Sequence, residues 1–416
     1  MRITKSNQEK NKKENYKKIL KRVKKEVKGI TLIALVVTII VMLILAGITL
    51  NLTIGNNGIF KRAENARDTW EIAQSKEQSE TDKAADFIER YENENRPLNS
   101  VNGEETSNSI VYDKYGNKVV VPAGFKIINP EDDVTKGIVI EDVNANGSTE
   151  YTKGSQFVWI PVGNVYIDEN QDYDRIILGR YTFDSNGKEK LIQTATKYEE
   201  VLVKYMISSS TSNETKLLEL EKSSYGNASA KNLKEFIEGT ETNGGFYISR
   251  YEAGDNDAKN KPRGEESEIT KNVVSKQGVY PYNYVTQQEA STLCQDMYIT
   301  ENYETDLINS YALNTAIVFI QKFSDDNKYS VKGRLQEDLA RCGEASDGIT
   351  NDIKCNIYDL AGNVREWTTE TSDRKENPCV AIGGGFNDDY NYVSYRDRGN
   401  PIRAKGDTGF RICMYL

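Results

Sequence analysis

The hydrophobic and polar positions of this chain change rhythm three times. From Ile30 to Ile54 apolar residues run almost without interruption, and no charge appears between Gly29 and Lys61. A run of about 20 apolar residues is long enough to span a bilayer as one helix. After the breaker Gly55-Asn56-Asn57-Gly58, the less polar positions fall at Ile59, Ala63, Ala66, Trp70, Ala73, Ala84, Phe87 and Tyr91. This alternating spacing of four and three, with only Glu77 and Glu80 breaking the stripe, predicts a second helix with one packed face. Two readings of that face stand side by side: it lies on its own domain, or it pairs with another subunit. Pro97 and the polar run Asn93 to Ser109 then read as a linker.

Short strand-like runs follow. Val119-Val120-Val121 precedes Pro122, Gly137-Ile138-Val139-Ile140 leads into the turn Asn144 to Gly147, and Phe157 to Val162 form an apolar strand ended near Pro161. Residues 110–150 read either as a small β subdomain or as the first strands of the main domain. Beyond Gln156 the pattern mixes short strands, polar loops and two helices. One helix is expected over Thr286–Tyr298, with Ala290, Leu293, Cys294 and Met297 on one face. The other is expected over about Tyr311–Phe323, with Ala312, Ala316, Phe319 and Phe323 likewise. The fold class is therefore α+β. The expected units are a leader at 1–29, a transmembrane helix at 30–54, a stalk helix at 55–96, a linker with a small β region at 97–154, and a domain at 155–416.

Charge adds direction. Residues 1–28 hold twelve Lys/Arg against three Glu, and this excess keeps the N-terminus cytoplasmic. The rest of the chain is then expected outside, as a single-pass protein of the cell membrane, surface or pilus. Of the 54 Lys/Arg and 63 Asp/Glu in the chain, 42 and 60 remain beyond the leader, a net charge near −18. Such a surface repels nucleic acid and anionic lipid. Histidine is absent, which removes the usual general base, the Ser-His-Asp arrangement and every His-ligated metal site. The five cysteines are Cys294, Cys342, Cys355, Cys379 and Cys413, with no Cys-x-x-Cys pair. Outside the membrane one or two disulfides are expected, with Cys355–Cys379 and Cys294–Cys413 as the pairs. In a strictly anaerobic setting all five stay reduced.

The segment Gly29-Ile30-Thr31-Leu32-Ile33-Ala34-Leu35, after a basic leader, resembles the prepilin signature. The resemblance covers roughly residues 20–60. It implies cleavage by a prepilin peptidase between Gly29 and Ile30, methylation of the new N-terminus, and pilus or pseudopilus subunits as partners. Pilins carry Glu at mature position five, where this chain has Ala34. A buried carboxylate is costly unless paired, so Ala34 eases packing in lipid and removes a specific assembly contact.

A second resemblance rests on Asn356-Ile357-Tyr358-Asp359-Leu360-Ala361-Gly362-Asn363-Val364-Arg365-Glu366-Trp367-Thr368, then Gly383-Gly384-Gly385-Phe386, then Gly409-Phe410-Arg411. In this order they are similar to the formylglycine-generating enzyme (sulfatase-modifying factor) family, whose fold resembles C-type lectins. Phe246 to Glu252 and Val285 to Cys294 add weaker support, and the resemblance covers about residues 155–416. A structural reading accounts for most of these residues: Tyr358 and Trp367 as core aromatics, Gly362-Asn363 as a tight turn, Phe410 packing the last strand, and Arg411 in an internal ion pair or bonded to carbonyls. The resemblance also implies structural calcium, held by Asp359, the carbonyls of Gly362 and Val364, and Glu366. Oxygen ligands of this kind suit that ion. The alternative is that these acids are solvated or ion-paired.

Catalysis is where the resemblance breaks. The family's enzymes hold copper with two cysteines after the Gly-Gly pair, because soft thiolates select Cu(I). The matching positions here are about Asp388 and Val393, so no catalytic residue is assigned. The same stretch resembles the variable region of retroelement-diversified proteins, which share the fold. Its Asn387, Asp388, Asp389, Tyr390, Asn391, Tyr392, Ser394, Tyr395, Arg396 and Arg398 mix rigid aromatic area with adaptable hydrogen bonding, as antibody combining loops do. They are the expected contacts to an extracellular protein, peptide or glycan; the bland alternative is an ordinary polar loop. The leading expectation is a pilin-like display protein with a non-catalytic binding head. The alternatives are a formylglycine-generating oxidase and a structural minor pilin.

Overall fold

The structure, a computed structural model, describes residues 14–15, 17–18, 38–42, 96–194, 201–208, 211–218, 233–333, 338–344, 352–372, 376–386 and 392–416. The chain divides into two units, Met1–Glu80 and Thr81–Leu416. In the first, Thr38 to Met42 are helical and exposed. Among the described residues no helix is long and apolar enough to cross a membrane. The remainder of the expected span, the cleavage site Gly29–Ile30 and the expected stalk helix lie outside the described residues.

The second unit is built on two six-stranded sheets. Their strands are β1 (Phe125–Ile127), β2 (Val139–Asp142), β3 (Gln156–Pro161), β4 (Val201–Ser208), β5 (Thr211–Leu218), β6 (Gly245–Ser249), β7 (Glu304–Leu307), β8 (Arg365–Ser372), β9 (Cys379–Ile382), β10 (Arg396–Gly399), β11 (Thr408–Phe410) and β12 (Ile412–Tyr415). The first sheet has the order β7-β12-β6-β3-β2-β1, antiparallel throughout. Its central strands are covered on both faces. Phe157 to Ile160 in β3 are fully buried, as are all five residues of β6. An unbroken apolar run is the pattern such burial requires. The pairing of β1 and β2 with β3 makes this part of residues 110–150 the opening of the main sheet.

Among the described residues three helices pack on this frame, where the sequence pattern showed two: α1 (Leu233–Asn243), α2 (Gln287–Gln295) and α3 (Ser310–Phe323). The additional one, α1, turns Leu233, Phe236, Ile237 and Thr240 inward. Its Phe236 ring lies 5.3 Å from Phe246 and 5.4 Å from Tyr415. The start of α2 is fixed by a capping box, in which Thr286 and Glu289 satisfy each other's backbone N–H. Asn309 caps α3 by accepting from the Ala312 N–H at 2.9 Å. α3 is buried over nearly all its length and lies against β3 and β8, strands of the two different sheets.

The second sheet runs β4-β5-β8-β9-β10, with β11 parallel to β8. All eight residues of β8 are buried. Trp367 donates from its indole N–H to the Val285 carbonyl at 3.0 Å. The last two strands follow each other directly, β11 in one sheet and β12 in the other, so Arg411 marks the crossing between them. The cysteines require a correction. None of the five forms a disulfide, and four of them are buried in packed elements. Cys294 and Cys413 do face a common neighbour, Asp306, and burial pushes both thiols well up.

Candidate functional site

The motif at 356–368 folds as a polar knot that leads into β8 of the second sheet. Asp359 and Asn363 both take left-handed backbone angles, φ 60° and 63°, which Asp and Asn tolerate better than other side chains. The twist turns the Asn363 side chain onto two neighbours. Its Oδ1 accepts from the Ala340 N–H at 3.0 Å, and its Nδ2 donates to the Glu252 carboxylate. The Asn363 carbonyl accepts from the Phe386 N–H at 2.7 Å. Glu252, fully buried, also takes the Val364 N–H at 3.0 Å. Arg411 closes the knot: it pairs with Glu366 at 2.6 Å and donates to the Ser249 and Tyr358 carbonyls, each at 2.8 Å. One guanidinium thus ties β6, β8 and the motif loop together.

This knot is short of positive charge. Burial pushes the Glu252 carboxyl well above its usual range, and the nearby Asp359 and Glu366 push it further against the pull of Arg411. Glu366 is also raised by burial, in spite of its ion pair.

The donor set does not fit a calcium ion as the motif implied. Calcium needs six to eight oxygens. One oxygen of Glu366 is committed to Arg411, and Asp359 Oδ2 accepts from the Gly343 N–H at 2.9 Å. Both oxygens of Glu252 are used by Asn363 and Val364. The second oxygen of Glu366 is buried without a hydrogen-bond partner, but a cation there would share its carboxylate with a guanidinium. Among the described residues no group of three His, Cys, Asp or Glu side chains is arranged to hold a metal.

The expected ligand segment divides into an inner and an outer part. Asn387, Asp388, Asp389, Tyr390 and Asn391 lie outside the described residues. The chain on either side of them is pinned. Phe386 is bonded to Asn363, the Gly383 N–H donates to the Tyr395 carbonyl at 3.0 Å, and the Val393 N–H donates to the Lys332 carbonyl at 2.9 Å. Ser394 donates its Oγ to the Ser330 carbonyl at 2.8 Å, and Tyr395 is partly buried. Tyr392 stands between these anchors with 42% of its surface exposed. Val393, one of the positions matching a copper cysteine, is buried in the core.

Two of the expected contacts are engaged within the scaffold. Ser394 is spent on the scaffold, and Arg396 points inward. Its Nε donates to Glu370 at 2.7 Å and its Nη2 to Asn314 Oδ1 at 3.0 Å. Arg180 meets the other oxygen of Glu370 and donates to Gln193 at 3.0 Å. The two guanidinium groups hold the Glu370 carboxyl below its ordinary range although it is fully buried. Arg398 is partly buried on β10, next to an ion-pair ring at the sheet's outer side. In that ring Arg365 meets Asp407 at 2.7 Å and Arg403 meets Asp397 at 2.5 Å. Sequence reasoning missed Arg180, Asn314 and Gln193. They come from separate elements and no local motif joins them. Alternation along β10 was the one available signal for Arg396, since one side of that strand had to face the core.

No family model matches the chain, and no curated protein matches it. Among solved structures, one titled "Crystal Structure of CarF" is similar at 14% identity, over 41% of this chain and 87% of that chain, with a TM-score of 0.29. Treponema denticola variable protein 1 is similar at 14% identity, over 41% of this chain and 85% of that one, with a TM-score of 0.26. At these scores neither likeness fixes a fold.

Proposed function

We propose that this chain is a surface-anchored, pilin-like protein whose second unit is a non-catalytic binding head. Residues 30–54 serve as the membrane anchor after cleavage between Gly29 and Ile30, and residues around 387–392 meet an extracellular protein, peptide or glycan. The observation that carries the proposal is the pinning of that segment. Phe386 and Val393 are tied to the buried scaffold on either side of it, while Tyr392 stays exposed. Binding residues are disproportionately found on loops held by a rigid frame. An exposed Tyr supplies large contact area at low entropy cost. The non-catalytic part of the reading is supported by the charges near the motif being used on one another and by the buried Val393, at about a position where the copper chemistry of the resembled family needs a thiolate.

The test is binding of the purified second unit to arrays of surface glycans and peptides, compared with a Tyr390→Ala/Tyr392→Ala variant. The proposal expects specific signals that the variant loses at unchanged melting temperature. Equal signals from parent and variant contradict it. The oxidase alternative would be established by formylglycine formation on a Cys-containing peptide with copper supplied. The minor-pilin alternative predicts co-purification in filaments and indifference to the tyrosine substitutions.

A further inference from the structure

The turn after β2 carries a reactive dipeptide that the fold itself requires. Among the described residues Asn precedes Gly four times, at Asn102-Gly103, Asn146-Gly147, Asn186-Gly187 and Asn243-Gly244. Such a pair can cyclise, because glycine puts no Cβ in the way of its own main-chain nitrogen. Three of the pairs are held against it. The Gly103 N–H donates to Glu105 Oε2 at 3.0 Å and the Gly187 N–H to the Asp184 carbonyl at 2.9 Å, and both glycines are buried. The Asn243 amide donates to the Gly239 and Leu416 carbonyls at 2.9 and 3.1 Å. Asn146 and Gly147, by contrast, are both exposed. Among the described residues neither the Asn146 side chain nor the Gly147 N–H makes a hydrogen bond. The turn around them is nevertheless fixed. The Ser148 N–H donates to the Ala145 carbonyl at 2.9 Å, and Gly147 takes φ 77°, an angle that favours glycine in the third place of a turn. A Cβ at 147 would also come within 2.9 Å of the Ile299 N and O. The fold therefore keeps the glycine that makes the pair reactive.

We propose that Asn146 is a site of spontaneous modification, converting to aspartate and isoaspartate in the folded protein. The inference is independent of the ligand reading. The Gly147 nitrogen attacks Asn146 Cγ, the Cγ–Nδ2 bond breaks, and the amide leaves as ammonia with the proton that the Gly147 nitrogen gives up. A five-membered succinimide remains. Water then opens it. Attack at Cγ restores the main chain with aspartate at 146, and attack at the main-chain carbonyl leaves the chain running through the side chain as isoaspartate. No enzyme, oxidant or cofactor enters the balance. The product matters because of what the turn holds. The Asn146 carbonyl accepts from the Tyr303 O–H at 2.7 Å. Asp142 Oδ1 accepts from the Ala145 N–H at 3.1 Å, and its Oδ2 from Ser148 Oγ and the Tyr298 O–H, each at 2.9 Å. Isoaspartate lengthens the main chain by one methylene inside this ring of bonds. Either product adds a negative charge beside the buried Asp142. The modification thus loosens the corner at which β2 is tied to Tyr298 and Tyr303.

Peptide mapping by mass spectrometry of the full-length, detergent-extracted protein, aged at mildly alkaline pH, tests this. The peptide holding Asn146 is expected to gain the mass of amide-to-acid conversion several-fold faster than those holding Asn102, Asn186 and Asn243, and to accept methyl groups from an isoaspartate methyltransferase. In urea, where the bonds at the other three pairs are released, that lead is expected to shrink. Asn146→Gln, at an exposed position where ring closure is slower, is expected to abolish the methyl labelling of this peptide and to keep its melting temperature on ageing, while the parent's falls. Conversion at Asn146 no faster than at the other three pairs of the folded protein overturns the proposal. So does a lead that is undiminished in urea, and an aged parent that is converted at Asn146 yet melts like the fresh protein removes the loosening.

Discussion

Glu252 shows how much one residue depends on its burial. Its pKa in the folded chain lies well above the ordinary carboxylate value because the site is dry and two further acids are close. A carboxyl raised in the folded state contributes stability below its unfolded pKa and loses it as pH rises through the folded value. The melting temperature is therefore expected to fall as pH rises above the ordinary carboxylate range, and Glu252→Gln, which cannot ionise, is expected to flatten that fall. Glu370 has the opposite sign. Its depressed pKa adds stability above the ordinary carboxylate range that is lost as pH falls below it. Melting curves across pH check both limbs. Arg396 is the matching structural test. Arg396→Ala leaves Glu370 half-paired in a dry site and is expected to cost about 3–5 kcal/mol in urea unfolding. Tyr392→Ala, at an exposed position, is expected to change stability by less than about 0.5 kcal/mol.

At the scale of elements, the tight turn is the part on which most else depends. Asn363→Ala removes a residue suited to a left-handed angle together with its side-chain bonds to Ala340 and Glu252. Asn363→Gly restores the angle alone. If the side-chain bonds dominate, both variants are destabilised, with an expected loss of about 1–3 kcal/mol for each buried group left unsatisfied. Chemical denaturation of the pair separates the two contributions. Elements with local signals were legible in the sequence. The periodic faces of α2 and α3 and the apolar run of β3 marked them clearly. α1 was missed because its stripe of Leu233, Phe236, Ile237 and Thr240 is short and is interrupted by Glu235 and Gly239. The Arg411–Glu366 pair was legible as one of two alternatives for Arg411. The Arg180–Glu370–Arg396 cluster was not, because its members are brought together only when β8, β10 and the 179–183 strand fold.

For the whole molecule, an apolar N-terminal segment precedes a second unit in which the motif at 356–368 serves as an internal brace. Calcium chelation is expected to leave the melting temperature of the second unit unchanged, since one oxygen of Glu366 is engaged by Arg411, Asp359 by the Gly343 N–H, and the adjacent Glu252 by Asn363 and Val364. Mass spectrometry of mature protein from its native envelope is expected to show a chain beginning at Ile30. An intact leader would remove the pilin-like route. Neither result bears on the central claim, which is recognition by the pinned segment. The most direct test is array binding by the head before and after Tyr390→Ala/Tyr392→Ala. Loss of a specific signal at unchanged melting temperature is the predicted result; binding that persists undiminished in the variant would contradict it.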